Sequence, residues 1–212
     1  MQYSQDYDEK VVGYGYSRGN TPYLASSPAT DTYKWMDAIY PYVGSEQVFD
    51  CPSMSSDAQN YRYAGPGGTA VTAGQYGSYG INLAYRQTAG KRPPVSSFEG
   101  TGVLVFQVSL ADIEAPSTTV QIADNSIGVV GTGGSYPFIM YGDTTSTAPQ
   151  ISTAYRVPVL YGTNLGSSAW AARHLDTANI LYADGHVKSQ RLDSLLTKNS
   201  AGIMSAFTIQ DD

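Results

Sequence analysis

Apolar residues recur at a helical interval in two stretches of the chain. Tyr3, Tyr7 and Val11 stand four apart, so residues 1–12 read as the last turns of a helix. Between 31 and 43, Trp35, Met36, Ile39, Tyr40 and Val43 repeat at three and four, behind Thr30 or Asp31 as N-cap. Pro41 makes its last turn irregular. This stripe reads as core packing, not as a ligand-binding face. Later the pattern turns strand-like, with strands expected at 103–108, 119–123 and 136–141. The connection from Ser109 to Ser117, between the first two, is short and closed by Pro116. The runs Ala178–Ala183 and His186–Arg191 flank Asp184-Gly185, which tolerates positive φ, and predict a β-hairpin over 178–191. Ile203–Ile209 reads as a closing strand. Segments 13–19, 53–80 and 142–153, rich in Gly, Ser, Thr or Tyr, read as loops. Helix first and antiparallel strands after predicts an α+β fold in one domain, residues 1–212, with the sheet mainly within 103–209.

Composition narrows the function. The chain has 18 tyrosines and 22 glycines but only 14% charged residues, so Tyr, Ser and Thr supply the polarity. That balance suits β-rich extracellular proteins. A net charge of −6 argues against nucleic acid as a partner. The glycines at 13–19 lack dinucleotide-binding spacing, and no Gly-Lys-Ser/Thr follows those at 65–68, so neither stretch cradles phosphate. No run approaches the roughly 20 apolar residues that span a bilayer, and the polar start is no signal peptide. Cys51 is the single cysteine, which excludes a disulfide within this sequence.

The candidate chemistry concentrates in residues 172–188, which hold both histidines, His174 and His186. A Ser-His-Asp site lacks its nucleophile elbow, since Gly77-Ser78-Tyr79-Gly80 is one residue short. Cys51 has no basic sequence neighbour to activate it as a nucleophile. His174, Asp176 and His186 formally resemble a two-His-one-carboxylate metal set. A hairpin strand of about 20 Å lies between the two imidazoles, however, so they are not expected on one ion. Asp124, Asn125, Asp176 and Asp184 are weak candidates for oxygen-ligated Ca²⁺. Otherwise no cofactor is expected. The bland alternative has the His174 ring hydrogen-bonding backbone carbonyls to lock its loop, with Asp184 and Gly185 present for the turn. Trp35, Trp170 and the tyrosines keep a carbohydrate-binding surface open.

Several of these segments together carry a family resemblance. His174 through Gly185 resembles the H-X9-DG motif of bacterial prepilin-type, pseudopilin-like proteins. Arg173-His174 and Ala178–Lys188 resemble the ending of that family. Val48-Phe49-Asp50-Cys51-Pro52-Ser53 resembles its F-x-CPS element, and Ser78-Tyr79-Gly80-Ile81-Asn82 its SYG-x-N element. Pro116–Val120 leading to Ala123-Asp124 resembles its P-S-x-T strand, and Tyr3–Asp8 the segment that follows its membrane-spanning helix. The resemblance implies a pilin-like α+β fold, in which a truncated N-terminal spine helix packs on an antiparallel sheet with a C-terminal hairpin. It implies a non-catalytic subunit of a pseudopilus or type IV pilus-like filament, serving secretion or surface attachment. Such a subunit is membrane-anchored through a preceding helix and then lies at the cell surface, outside the cell or in the periplasm. It assembles with itself or with other pseudopilins, and the loops at 13–23, 61–80 and 142–155 are expected to make subunit contacts or to bind an external ligand. His174, Asp184 and Gly185 then form a structural motif, and a cysteine in the preceding helix is a possible disulfide partner for Cys51. The alternative reading is an extracellular carbohydrate-binding or adhesin module built on the Tyr- and Trp-rich loops.

Overall fold

The computed structural model describes residues 2–13, 15–17, 32–54, 60–63, 77–85, 92–95, 108–125, 139–141, 149–154, 156–161 and 169–210. The expected N-caps Thr30 and Asp31, and the strand expected at 103–108 apart from Val108, lie outside them. So does most of the loops assigned to subunit contacts.

The pilin-like α+β expectation, an N-terminal helix packed on an antiparallel sheet, is not what these residues form. They are mostly β. The first helix, α1 (Gln2–Asp6), has five residues, and Asp8 and Glu9 end it at positive φ of 52° and 58°. Five residues close too few hydrogen bonds to make a spine. Tyr3 and Tyr7 do stack, at 4.5 Å, but Tyr7 stays 51% exposed. The spacing of four therefore marks one outer turn, not a long buried face.

The second helix, α2, runs over Trp35–Val43 rather than 31–43. Its expected first turn is taken by strand β2 (Thr32–Lys34), which pairs antiparallel with β1 (Gly15–Ser17). Trp35, Met36 and Ala38 are buried, as the stripe requires. Asp37 is buried with them and accepts a hydrogen bond from the Tyr61 hydroxyl at 2.6 Å. Among the described residues no helix is long and apolar enough to cross a membrane.

The main sheet uses β3 (Tyr79–Leu83), β4 (Val120–Asp124), β5 (Ile139–Tyr141), β9 (Ala178–Tyr182) and β10 (Val187–Gln190), ordered β10-β9-β4-β3-β5. All neighbours are antiparallel except β3 and β5. The hairpin expected over 178–191 is β9–β10. Along β9, Ala178, Ile180 and Tyr182 are buried while Asn179 and Leu181 are partly exposed, the alternation of a half-buried strand. A separate antiparallel sheet joins β6 (Gln150–Ser152), β7 (Val159–Tyr161) and β8 (Ala169–Ala171). At three residues each, these strands are too short to leave a periodic signal.

The strand expected at Ile203–Ile209 is instead a connector with a 3₁₀ turn at Ser205–Phe207. Its apolar residues mark burial rather than a ladder, since Phe207 is fully enclosed and Ile209 nearly so. The amide of Asn82 donates to the carbonyls of Val120 (2.8 Å) and Phe207 (3.3 Å). A side chain thus satisfies the backbone that a neighbouring strand would otherwise meet. Among the described residues there are two larger apolar clusters, beside a small one of Val159, Ala169 and Ala171. Of the larger two, one gathers Trp35, Met36, Phe49, Ile81 and Leu83, and the other gathers Val120, Leu160, Trp170, Ile180 and Phe207.

Candidate functional site

Three chain segments meet beside the end of β4. The first leaves a 3₁₀ turn at Glu46–Phe49 and reaches Cys51. Its course is set by Ser78, whose N–H donates to the Phe49 carbonyl at 2.8 Å. The Cys51 N–H in turn donates to the Ser78 hydroxyl at 2.7 Å. Gly77 makes this approach possible. Its φ is +70°, and a Cβ there would stand 2.4 Å from the Phe49 carbonyl oxygen, a distance no side chain can occupy.

The second segment ends β4 in Asp124 and runs on into Asn125, both fully buried. The Asn125 N–H donates to the Ser78 carbonyl at 2.9 Å, and its side-chain amide to the Gly77 carbonyl at 3.2 Å. The third segment turns back on itself between His174 and Thr177, whose N–H and C=O groups pair at 2.9 and 3.0 Å. Leu175 and Asp176, the two residues between, take positive φ of 52° and 62°. Such a pair without glycine costs about 1–2 kcal/mol per residue. The Thr177 hydroxyl secures the turn by donating to the His174 carbonyl.

The turn aims the His174 ring inward. Its Nε2 lies 3.7 Å from Cys51 Sγ and 3.4 Å from Asp124 Oδ2. The ring therefore meets side chains, where backbone carbonyls were expected. Asp124 Oδ2 also accepts the Asn179 N–H at 2.7 Å, while Oδ1 is buried without a protein partner. Burial raises the pKa of Asp124 against the opposing pull of the Asn179 N–H, His174 and Arg173. Arg173 donates from Nε to the Asn125 carbonyl at 2.8 Å, and its charge is felt by both Asp124 and Cys51. Folding thus supplies Cys51 with basic neighbours that the local sequence lacks.

His174 Nε2 faces both partners. In a nucleophile–base–carboxylate relay the histidine uses one ring nitrogen for the nucleophile and the other for the acid. Convergence of a thiol and a carboxylate on one nitrogen is a different arrangement. The thiol is also enclosed, with Cys51 6% exposed.

The remaining sequence candidates lie elsewhere. His186 and Asp184 pair with each other, Nδ1 to Oδ1 at 2.6 Å, and the His186 ring stacks on Tyr182 at 4.4 Å. The His186 N–H donates to the same Asp184 oxygen at 3.0 Å, and Gly185 takes φ +92°, so both residues serve the turn. Of the Ca²⁺ candidates, Asp124 joins Cys51 and His174. The Asn125 carbonyl is taken by Arg173, and Asp176 and Asp184 are exposed in turns. Among the described residues Cys51, Asp124 and His174 form a group of metal-ligating side chains that no local spacing signals. Their one sequence clue is that each sits in a different element of the pseudopilin resemblance. Compared with protein families, curated proteins and solved structures, the chain matches none.

Proposed function

We propose that this chain is a non-catalytic structural subunit of a pseudopilus or type IV pilus-like filament, placed outside the cytoplasm and assembling with copies of itself or with other pseudopilins. One observation carries the reading. The segments that resemble the family are far apart in sequence, yet hydrogen bonds stitch them into one knot. Phe49 and Cys51 hold Ser78, Ser78 holds Asn125, and Asp124 holds Asn179. At the far end of β9, the N–H groups of Ala183 and Asp184 donate to Thr119 (2.9 Å) and Pro116 (3.1 Å). The motifs thus serve the interior architecture of a domain. The shared nitrogen of His174 and the enclosed thiol of Cys51 also weigh against turnover.

The adhesin alternative loses its strongest residues. Trp35 is 2% exposed and Trp170 fully buried, with the Trp170 indole donating to the Gly80 carbonyl at 3.1 Å. Neither indole offers a face to a sugar ring. The test is electron microscopy of the full-length gene product, expressed in a host that carries pilus assembly machinery. Filaments labelled by antibody against this domain are expected. A protein found only as dispersed subunits under those conditions would overturn the proposal.

A further inference from the structure

We infer that Cys51, Asp124 and His174 form a three-ligand site for a thiophilic divalent cation of the zinc class. The ligand atoms lie within 4.8 Å of one another, and the two distances to His174 Nε2 are 3.7 Å for Sγ and 3.4 Å for Oδ2. Zinc bonds of about 2.0–2.3 Å at tetrahedral angles place neighbouring ligands about 3.3–3.6 Å apart. The two distances to His174 Nε2 are therefore within tenths of an ångström of those an ion requires, and the remaining pair, Sγ to the carboxylate, lies within 4.8 Å. A second observation is independent of those distances. Asp124 is fully buried, yet Oδ1 has no protein donor, although nearly every enclosed carboxylate oxygen finds one. A cation gripped by both carboxylate oxygens would supply Oδ1 with the missing partner.

The donor set selects the ion. One thiolate, one imidazole and one carboxylate suit zinc, whereas calcium takes six to eight oxygens and magnesium an octahedron of them. The His174 side chain is 30% exposed, and water from that side would complete a fourth position. Thiolate and carboxylate together would neutralise the ion. An ion here ties three segments spread over 123 residues of sequence: the stretch after the 3₁₀ turn at Glu46–Phe49, the end of β4 and the turn before β9. It acts as a staple.

The test begins with protein stripped by chelator and titrated with Co²⁺ alone, then with Zn²⁺. One equivalent of cobalt should give a thiolate-to-cobalt charge-transfer band in the near ultraviolet and the strong visible bands of a tetrahedral ion. Zinc should then bleach both. Zinc should also slow alkylation of Cys51 by iodoacetamide about tenfold or more. Cys51→Ser should abolish the charge-transfer band, and Asp124→Asn and His174→Ala should weaken binding by about a hundredfold. His186→Ala, outside the cluster, should leave binding unchanged. Circular dichroism identifies any variant that fails to fold. In that event the cobalt spectrum and the alkylation rate of the unaltered protein decide. A spectrum without thiolate charge transfer, or a Cys51 equally reactive with and without zinc, overturns the site. So does binding that depends on His186 instead of His174.

Discussion

Ser78→Ala tests whether the Cys51 segment is held in a dry interior. Ser78 is fully buried, and its oxygen accepts the Cys51 N–H at 2.7 Å while its hydroxyl donates to Met54 Sδ at 3.4 Å. Alanine removes one atom, so the void is small and the cavity cost minor. What matters is the Cys51 N–H, which is left enclosed without an acceptor, at a cost of about 1–3 kcal/mol. The sulfur contact is weak and adds little. A loss of about 2 kcal/mol should lower Tm by about 4–8 °C in a domain of this length. Trp35 and Trp170 are both buried, so their fluorescence reports unfolding in urea directly. The midpoint should fall with an unchanged m value, because the surface exposed on unfolding is the same. Ser200→Ala, at an exposed position, provides the comparison and should stay within about 0.5 kcal/mol. A Ser78→Ala loss below about 0.5 kcal/mol would refute the reasoning, since water would then be reaching the Cys51 amide.

Two further outcomes are expected. Trp170→Phe removes the indole donor to Gly80 and part of a ring tilted against Phe207 at 5.9 Å, costing about 2–4 kcal/mol by urea unfolding. Loss of glycan binding with stability intact would instead revive the adhesin reading. Asp112 accepts the Ser109 N–H at 2.7 Å in a capping box, and that bond followed by the Ser109 hydroxyl holds its carboxyl below the usual carboxylate range. Its stabilisation is therefore fully present above the ordinary aspartate pKa and is lost as pH falls through the lower folded value. Asp112→Asn should flatten that part of the acid limb in a pH series of urea midpoints, and an unchanged slope would contradict the capping role.

What the sequence showed and what it concealed follow from the range of the forces involved. The hairpin at 178–191 is legible because alternation and an Asp-Gly turn are local, each acting within a few residues. The centre of α2 is legible for the same reason. Its start is not, because pairing of Thr32–Lys34 with Gly15–Ser17 overrides helical propensity. Ile203–Ile209 misleads because burial alone selects Ile, Met and Phe, whether the backbone lies in a ladder or is caught by Asn82. Cys51 reads as chemically isolated because its partner stands 123 residues away, and nothing local encodes that distance. The α+β expectation fails on the N-terminal stretch, where two stacked tyrosines imitate the stripe of a long helix.

The nine residues between His174 and Asp184 now have a physical length. They comprise the turn that aims His174, the five residues of β9 and one residue before the Asp-Gly turn. At about 3.3 Å per residue that strand carries the chain across the sheet from one fixed point to another. At its start, Asn179 is bound to Asp124, with His174 against Cys51 and Asp124. At its end, Ala183 and Asp184 are bound to Thr119 and Pro116. A slip of one residue would turn Ile180 and Tyr182 out of the core and release both ends at once. The β-bulge between Val120 and Ile122 shows the slack being taken up on β4, the partner strand, leaving β9 in one register. Insertion or deletion within 175–183 must therefore break one anchor, and the one at His174 holds the cluster.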